Sequence, residues 1–205
     1  MTDLTTKYLG LDLKNPLVPS ASPFSKSLDG AKQLEDAGAP ALVMYSMFEE
    51  KIEHEARHLD RFIHQQSTGF GEADNFHPMH GEFSSYEDDY LDQLRLLKEE
   101  LEIPVIASLN GTTPGGWVEY GKLLQDTGAD ALELNVYHVA ADPETGGDEV
   151  EQRYLQLLAD LREHISVKVV GTPVTHEDFC LAVRGNAYGS YLTPQQIGLN
   201  RLKPE

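Results

Sequence analysis

Short apolar runs alternate along this chain with longer segments in which apolar residues recur every three or four positions. The short runs predict strands that are buried on both faces, as the strands of a parallel sheet are. We place these strands at residues 17–21, 41–44, 104–109, 131–135 and 165–170.

The amphipathic segments between these runs predict helices. Gly38 and Gly128 mark two helix ends, because glycine commonly follows the last helical turn. Alternating strands and helices imply a parallel sheet with helical crossovers. The helices are expected at residues 28–37, 49–64, 86–101, 117–125 and 150–164.

One βα pattern occurs twice, as AGAPALVM within residues 35–44 and as TGADALEL within residues 126–134. Such repetition favours a barrel or a doubly wound sheet. Neither GxGxxG nor GxxxxGK[ST] occurs, so the phosphate-loop classes lack their signature. The fold class expected is therefore α/β, with about five βα units.

Two segments lack periodicity. Residues 67–85 are rich in Gly, His, Asp and Pro, which predicts a long loop, and residues 171–205 read as turns and short irregular pieces. The chain has 205 residues, whereas a complete (β/α)8 barrel usually needs about 250. We therefore predict a partial, incomplete TIM barrel at residues 1–170, followed by an irregular tail at 171–205.

The formal net charge of −18 argues against nucleic acid and anionic membranes as partners. Cys180 is the only cysteine, so no internal disulfide forms, which favours a reducing compartment. Residues 1–7 lack the apolar core of a signal peptide, and no apolar stretch is long enough to span a membrane. A cytoplasmic protein is expected. Unpaired edges of an incomplete sheet favour a homo-oligomer.

Small and polar residues stand where the predicted strands end, and barrel active sites lie at those carboxyl ends. Ala21 and Ser22 would let a flat ring approach the backbone, as would Gly111 after Asn110; plain turn chemistry also explains Ser22 and Gly111. Asn135 offers both a donor and an acceptor to a ligand. The other strand-end candidates are Tyr45, Ser46 and Lys168.

Four segments, taken in order and spacing, resemble dihydroorotate dehydrogenase-like FMN-dependent (β/α)8-barrel proteins. They are YLGLDLKNPLVPSASP at residues 8–23, EDAGA at 35–39, IPVIASLNG at 103–111 and GADALELN at 128–135. The similarity covers residues 5–170.

This resemblance implies an oxidoreductase of pyrimidine biosynthesis that moves hydride from a CH–CH group of dihydroorotate or a related small molecule to FMN. Lys168 would stabilise the reduced, anionic flavin ring. His138 stands where the family has a cysteine in an Asn-x-x-Cys-Pro-Asn loop, and imidazole is a suitable base; an exposed loop histidine without a role is the alternative. The implied cofactor contacts are Ala21, Ser22, Ser46, Asn110, Asn135 and Lys168.

The chain also departs from the family. Ala140 replaces the second asparagine of that loop, Tyr45 replaces a lysine at the end of the second strand, and the substrate-clasping Asn-Ser-x-Gly segment is not recognisable within 67–85. The tail weakly resembles the C-terminal region of phytoene desaturase or retinol saturase type flavoproteins. We therefore expect a chain that joins pieces of two genes. The phosphate cradle of such barrels follows strands seven and eight, for which this chain has no candidate, so weak or absent flavin binding is also expected.

A rival motif lies in the second predicted helix. His54-Glu55-Ala56-Arg57-His58 matches H-E-x-x-H, in which two histidines bind zinc and the glutamate activates water. His64 has the spacing of a third ligand, but Arg61 replaces the glycine that would break the helix, so the helix should continue and turn His64 away. A zinc hydrolase and a non-catalytic barrel fragment are the alternatives to the flavoenzyme.

Overall fold

The computed structural model describes residues 3–66, 84–136 and 146–171. It shows a mixed α/β fold, as the sequence predicts. Its elements run in the order β1 (Thr6–Tyr8), β2 (Leu11–Leu13), a 3₁₀-helix (Pro23–Lys26), α1 (Leu28–Asp36), β3 (Leu42–Phe48), α2 (Glu49–Gln66), α3 (Tyr86–Glu100), β4 (Val105–Asn110), α4 (Pro114–Thr127), β5 (Ala131–Leu134), α5 (Gly147–His164) and β6 (Lys168–Gly171).

Four of the five predicted strands form one parallel sheet in the order β3-β4-β5-β6. The strand predicted at 17–21 is wrong, because Pro16 and Pro19 have no N–H to donate to a ladder. Only one backbone hydrogen bond, from Val43 N to Pro19 O at 3.4 Å, connects this segment to β3.

The β1–β2 hairpin was not predicted, since strands of three residues are too short to show a period. Its turn places Leu9 and Gly10 at φ values of 51° and 77°, the two positive values of a type I′ turn.

The helices begin where side chains can satisfy free backbone N–H groups. The hydroxyl of Ser27 accepts from Gly30 N in α1, and that of Thr113 accepts from Gly116 N in α4. Ser85 and Asp88 form a capping box at the start of α3. α4 ends before Gly128 at φ 108°, as the sequence predicts. None of the described helices is long and apolar enough to cross a membrane.

Both faces of the sheet are covered near the amino ends of its strands. The outer face packs against the helices through residues such as Leu109 and Leu132. The inner face packs against the β1–β2 hairpin through Val43, Ile106 and Ala131. Toward the carboxyl ends, the inner face changes from apolar to polar, and the candidate site lies there.

A β-bulge in β3 creates this polar end. Val43 pairs with Ile106, but the next pair is Ser46 with Ser108, so β3 contains one extra residue. Because side chains alternate between faces, the extra residue reverses their order. Tyr45 therefore packs against the outer core, while Ser46 lies beside Ser108.

Candidate functional site

Three strand ends contribute to one hydrogen-bonded cluster. The Ser46 and Ser108 Oγ atoms lie 2.9 Å apart. Asn135, which follows β5, donates through Nδ2 to Ser108 Oγ at 2.9 Å and to Ser46 Oγ at 3.3 Å. We call Ser46, Ser108, Glu133 and Asn135 the strand-end cluster.

Glu133 is the charged member of the strand-end cluster and is only 5% exposed. Its Oε1 accepts from Ser108 Oγ at 3.1 Å. Burial raises the pKa of Glu133, and hydrogen bonds from Ser108 and Asn135 oppose that rise without cancelling it. A buried carboxyl is therefore connected through serine hydroxyls to the end of the sheet.

A cleft of about 330 Å³ opens beside Ser46, within the size range of ligand pockets. Its wall is partly aromatic and partly cationic. Burial raises the pKa of Tyr45 to about 12, with smaller effects from Tyr86 and Asp89, so its phenol stays neutral at physiological pH. The lining residues are Ala21, Ser22, Pro23, Lys26, Tyr45, Ser46, Phe48, Lys51 and Tyr86.

Two lysines of the cleft contact aromatic rings. The Lys51 Nζ lies 3.7 Å from the ring centre of Tyr86, and the Lys26 Nζ lies 5.2 Å from that of Tyr45. Neither ammonium group forms an ion pair with a carboxylate in the described part of the chain. In a protein with net charge −18, this cleft presents two positive charges that an anion can neutralise.

Hydroxyl groups from the helices hold the bulged strand end. Tyr90, fully buried in α3, donates to Ser108 O at 3.3 Å and accepts from Ser108 N at 3.2 Å. Tyr86 donates to Ser46 O at 3.1 Å. Ser25 Oγ accepts from Tyr45 N at 2.7 Å. These contacts satisfy backbone groups around the bulge and fix the position of Ser46.

The structure brings several predicted site residues together. Ala21, Ser22 and Ser46 line the cleft, and Asn135 joins Ser46 through a hydrogen bond. Asn110 ends β4 and pairs with Phe48 of the cleft wall. Its Oδ1 is buried and accepts no hydrogen bond among the described residues, so it is an acceptor that still lacks a donor.

Lys168 does not lie at the end of its strand, and its contact with the cofactor stays a prediction. It begins β6 and pairs with Ala131 at the amino end of β5; Gly171, three residues on, is the partner of Leu134, which corresponds to about 10 Å along a strand. The prediction that Lys168 ends its strand is wrong. The strand starts late because Gln125 Oε1 accepts from the backbone N–H groups of residues 166 and 167.

His138 lies outside the described residues, as does Ala140, and its role as a base stays a prediction. The same holds for most of the predicted loop at 67–85 and for nearly all of the tail. Gly171, which the sequence assigns to the tail, pairs with Leu134 and completes β6.

Ser108 and Glu133 were missed by the sequence analysis. Both lie inside runs, PVIASL at 104–109 and ALELN at 131–135, that we interpreted as apolar strands. Polar residues two positions before Asn110 and Asn135 share a face with them, because side chains alternate along a strand. That spacing was the available signal.

The glutamate of the H-E-x-x-H motif makes a hydrogen bond elsewhere in the fold and does not act with the two histidines. α2 continues past Arg61 to Gln66, as predicted. The His54 and His58 Nε2 atoms lie 3.1 Å apart on the surface, but Glu55 accepts from Tyr86 N at 2.8 Å at the start of α3. Within the described ranges, no group of three or more His, Cys, Asp or Glu residues is placed to hold a metal.

Glu49, which is 3% exposed, lies against the amino end of α4. It accepts from the backbone N–H groups of Thr112 and Thr113 and, at 2.5 Å, from the Thr113 hydroxyl. Burial alone would raise the pKa of Glu49, but these hydrogen bonds outweigh burial and hold it below the ordinary value of 4.5. A carboxylate of the chain thus occupies this helix terminus, where an anion is favoured.

Glu49 should therefore make stability sensitive to acid. Its pKa is lower in the folded state than in the unfolded state. Its contribution to the free energy of unfolding is therefore present above pH 4.5 and is lost as the pH falls through the folded-state pKa. Urea unfolding of Glu49→Gln should show lower stability at neutral pH and a smaller loss on acidification. Glu50→Gln, on the exposed side of the same first turn, is the control. Equal acid sensitivity in both variants would contradict the assignment.

The chain is an α/β protein with a polar site at the carboxyl ends of parallel strands, and sequence comparison gives a few weakly similar relatives. No protein-family model matches the chain. It is 53% identical over 38 residues to "Putative dihydroorotate dehydrogenase A (fumarate)" of Aeropyrum pernix, a match that covers 18% of this chain and 12% of that protein.

Over 139 residues the chain is 27% identical to the NAD-dependent dihydropyrimidine dehydrogenase subunit PreA of Escherichia coli K12, and equally to that of Escherichia coli O157:H7. These matches cover 65% of this chain and 32% of the relative. The chain therefore spans about a third of PreA and about an eighth of the Aeropyrum protein. All three relatives are dehydrogenases by name.

Proposed function

We propose that this chain is part of an FMN-dependent oxidoreductase that acts on the CH–CH bond of dihydroorotate or a related dihydropyrimidine. The observation that carries the proposal is the strand-end cluster, which joins β3, β4 and β5 beside a cleft of ligand size. Similarity to two kinds of pyrimidine-ring dehydrogenase supports it.

The residues present fit the ring of a flavin. That ring carries one N–H between two carbonyl groups, and the buried Asn110 Oδ1 is an acceptor without a donor among the described residues. Ala21 and Ser22 are small and line the cleft. Asn110, Ala21, Ser22 and Ser46 would hold the ring, and FMN when bound would supply hydride acceptance.

The chain's own residues bind the reactant and remove a proton from it. Asn135 and Ser46 orient the pyrimidine ring at the strand ends. His138, three residues after Asn135 in sequence, takes the proton from the carbon next to the one that loses hydride. This gives each of the two hydrogens that leave a CH–CH bond its own acceptor.

The two lysines favour a carboxylate-bearing substrate over a neutral one. Lys26 and Lys51 line the cleft with Ser46 and lack carboxylate partners in the described structure. Dihydroorotate carries a carboxylate on its ring, whereas dihydrouracil does not. The position of the family's strand-end lysine is taken by Tyr45, so these two lysines would provide the charge instead.

The experiment titrates the full chain with FMN and then, with FMN present, with orotate or uracil. We expect orotate to bind about tenfold more tightly than uracil, because ion pairs of about 0.7 kcal/mol with each of the two lysines together give that ratio. Lys26→Met combined with Lys51→Met should make the dissociation constants of orotate and uracil similar. Added salt should weaken the binding of orotate but not that of uracil.

Lys122→Met is the control, since Lys122 is exposed on α4 away from the cleft lining. If uracil binds as tightly as orotate and the lysine variants change nothing, the substrate is a neutral dihydropyrimidine. If the full chain binds neither FMN nor a pyrimidine, the oxidoreductase proposal fails.

A further inference from the structure

Glu133 places an ionisable carboxyl where the fold does not need one. It lies within β5 at 5% exposure, between Leu132 and Leu134, which are fully buried on the other face. Burying a carboxylate is costly unless hydrogen bonds compensate. An apolar residue is the usual occupant of a parallel strand, so the carboxylate needs a reason outside packing.

If Glu133 is ionised, the donor and the acceptor of every hydrogen bond in the strand-end cluster are determined. A carboxylate only accepts, so the hydroxyl of Ser108 donates its single proton to Glu133, 3.1 Å away. Ser108 Oγ can then only accept, and it does so from Ser46 and from the Asn135 amide. Ser46, having donated to Ser108, accepts the longer bond from Asn135.

This order fixes how Asn135 is presented. Its amide nitrogen is committed to the two serines and to Glu133, which leaves the side-chain carbonyl oxygen to interact with a ligand. That oxygen receives no hydrogen bond from the described residues. The sequence had suggested that Asn135 offers a donor and an acceptor equally.

We propose that Glu133 is a positioning residue: acting on the Asn135 amide directly and through Ser108, it orients Asn135 so that the site presents a carbonyl acceptor and selects a ring that carries an N–H donor. The ligand named here rests on the proposed function, since pyrimidine-diones carry ring N–H groups. The orientation itself belongs to the free protein and can be measured without any ligand.

The first experiment is hydrogen exchange of the Asn135 side-chain amide, followed by NMR in the full chain without ligand. In the wild type the amide protons are held by the serines and should exchange slowly. Glutamine can donate or accept at position 133, so Glu133→Gln should accelerate their exchange at least about tenfold. Ser108→Ala should also accelerate the exchange, because it removes the nearer serine acceptor of the amide while leaving Glu133 in place.

Glu149→Gln makes the same chemical change on the surface of α5, where Glu149 pairs with Arg153, and should leave the exchange unchanged. Equal exchange in the wild type, Glu133→Gln and Ser108→Ala, with each protein folded, would overturn the proposal. A protonated Glu133 would donate to Ser108 and would give that result.

The second experiment compares orotate with its ring N-methylated analogues in the presence of FMN. Methylation at the contacted nitrogen should weaken binding to the wild type about tenfold, and this ratio should fall toward one in Glu133→Gln. An unchanged ratio in Glu133→Gln contradicts the selection of an N–H donor. Slow exchange that depends on Glu133, without binding of any pyrimidine, would sink the proposed function and leave the positioning role intact.

Discussion

Replacing Gly116 with alanine should lower the free energy of unfolding by about 3 kcal/mol, because an added Cβ would overlap the Glu49 carboxylate. That carboxylate would have to leave the amides of Thr112 and Thr113. Glu49 is buried while Thr112 and Thr113 are exposed, so water would satisfy the freed amides and the cost would fall mainly on the carboxylate. Urea unfolding measured by circular dichroism gives the value.

Gly115→Ala is the matched control. An added Cβ at Gly115 meets no atom within 4 Å, and the residue lies in the same first turn of α4. Alanine should stabilise that position slightly, since it loses less backbone entropy than glycine on forming a helix. If both alanine variants are as stable as the wild type, Glu49 does not occupy the end of α4.

Replacing Asn135 with alanine should weaken orotate binding about thirtyfold, which corresponds to about 2 kcal/mol. The variant removes a ligand contact and also leaves Ser46 and Ser108 without their amide donor. The measurement is an orotate titration in the presence of FMN, with the urea midpoint recorded for each variant.

Gln156→Ala removes an amide from the exposed surface of α5, where it contacts Asp160, and should leave orotate binding unchanged. Asn135→Ser keeps a hydroxyl in the cluster, and its affinity for orotate should lie between those of Asn135→Ala and the wild type. If the Asn135→Ala variant folds and binds orotate with wild-type affinity, Asn135 does not contact the ligand.

The sequence predicts the repeated strand–helix order well because each signal is local. The apolar runs and the helix end at Gly128 depend on neighbouring residues alone. The segment at 17–21 was predicted wrongly because its apolar character outweighed its prolines in our interpretation. Its single bond to β3 shows the effect of the missing donors.

The site was less predictable because the bulge in β3 depends on distant residues. A strict alternation from Val43 places Tyr45 on the inner face, yet the structure places Ser46 there. The contacts that hold this end come from Ser25 and Tyr90, in other elements. Lys168 shows the same limit, since Gln125 on α4 decides where β6 begins.

The most direct measurement is NMR of the full chain during an FMN titration, with the side-chain amides of Asn110 and Asn135 assigned through substitution. The account predicts that both amides and the backbone signals of Ser46 and Ser108 shift together with one dissociation constant. Shifts confined to α2 around His54, or FMN binding that leaves Asn110 and Asn135 unmoved, would contradict a flavin site at these strand ends.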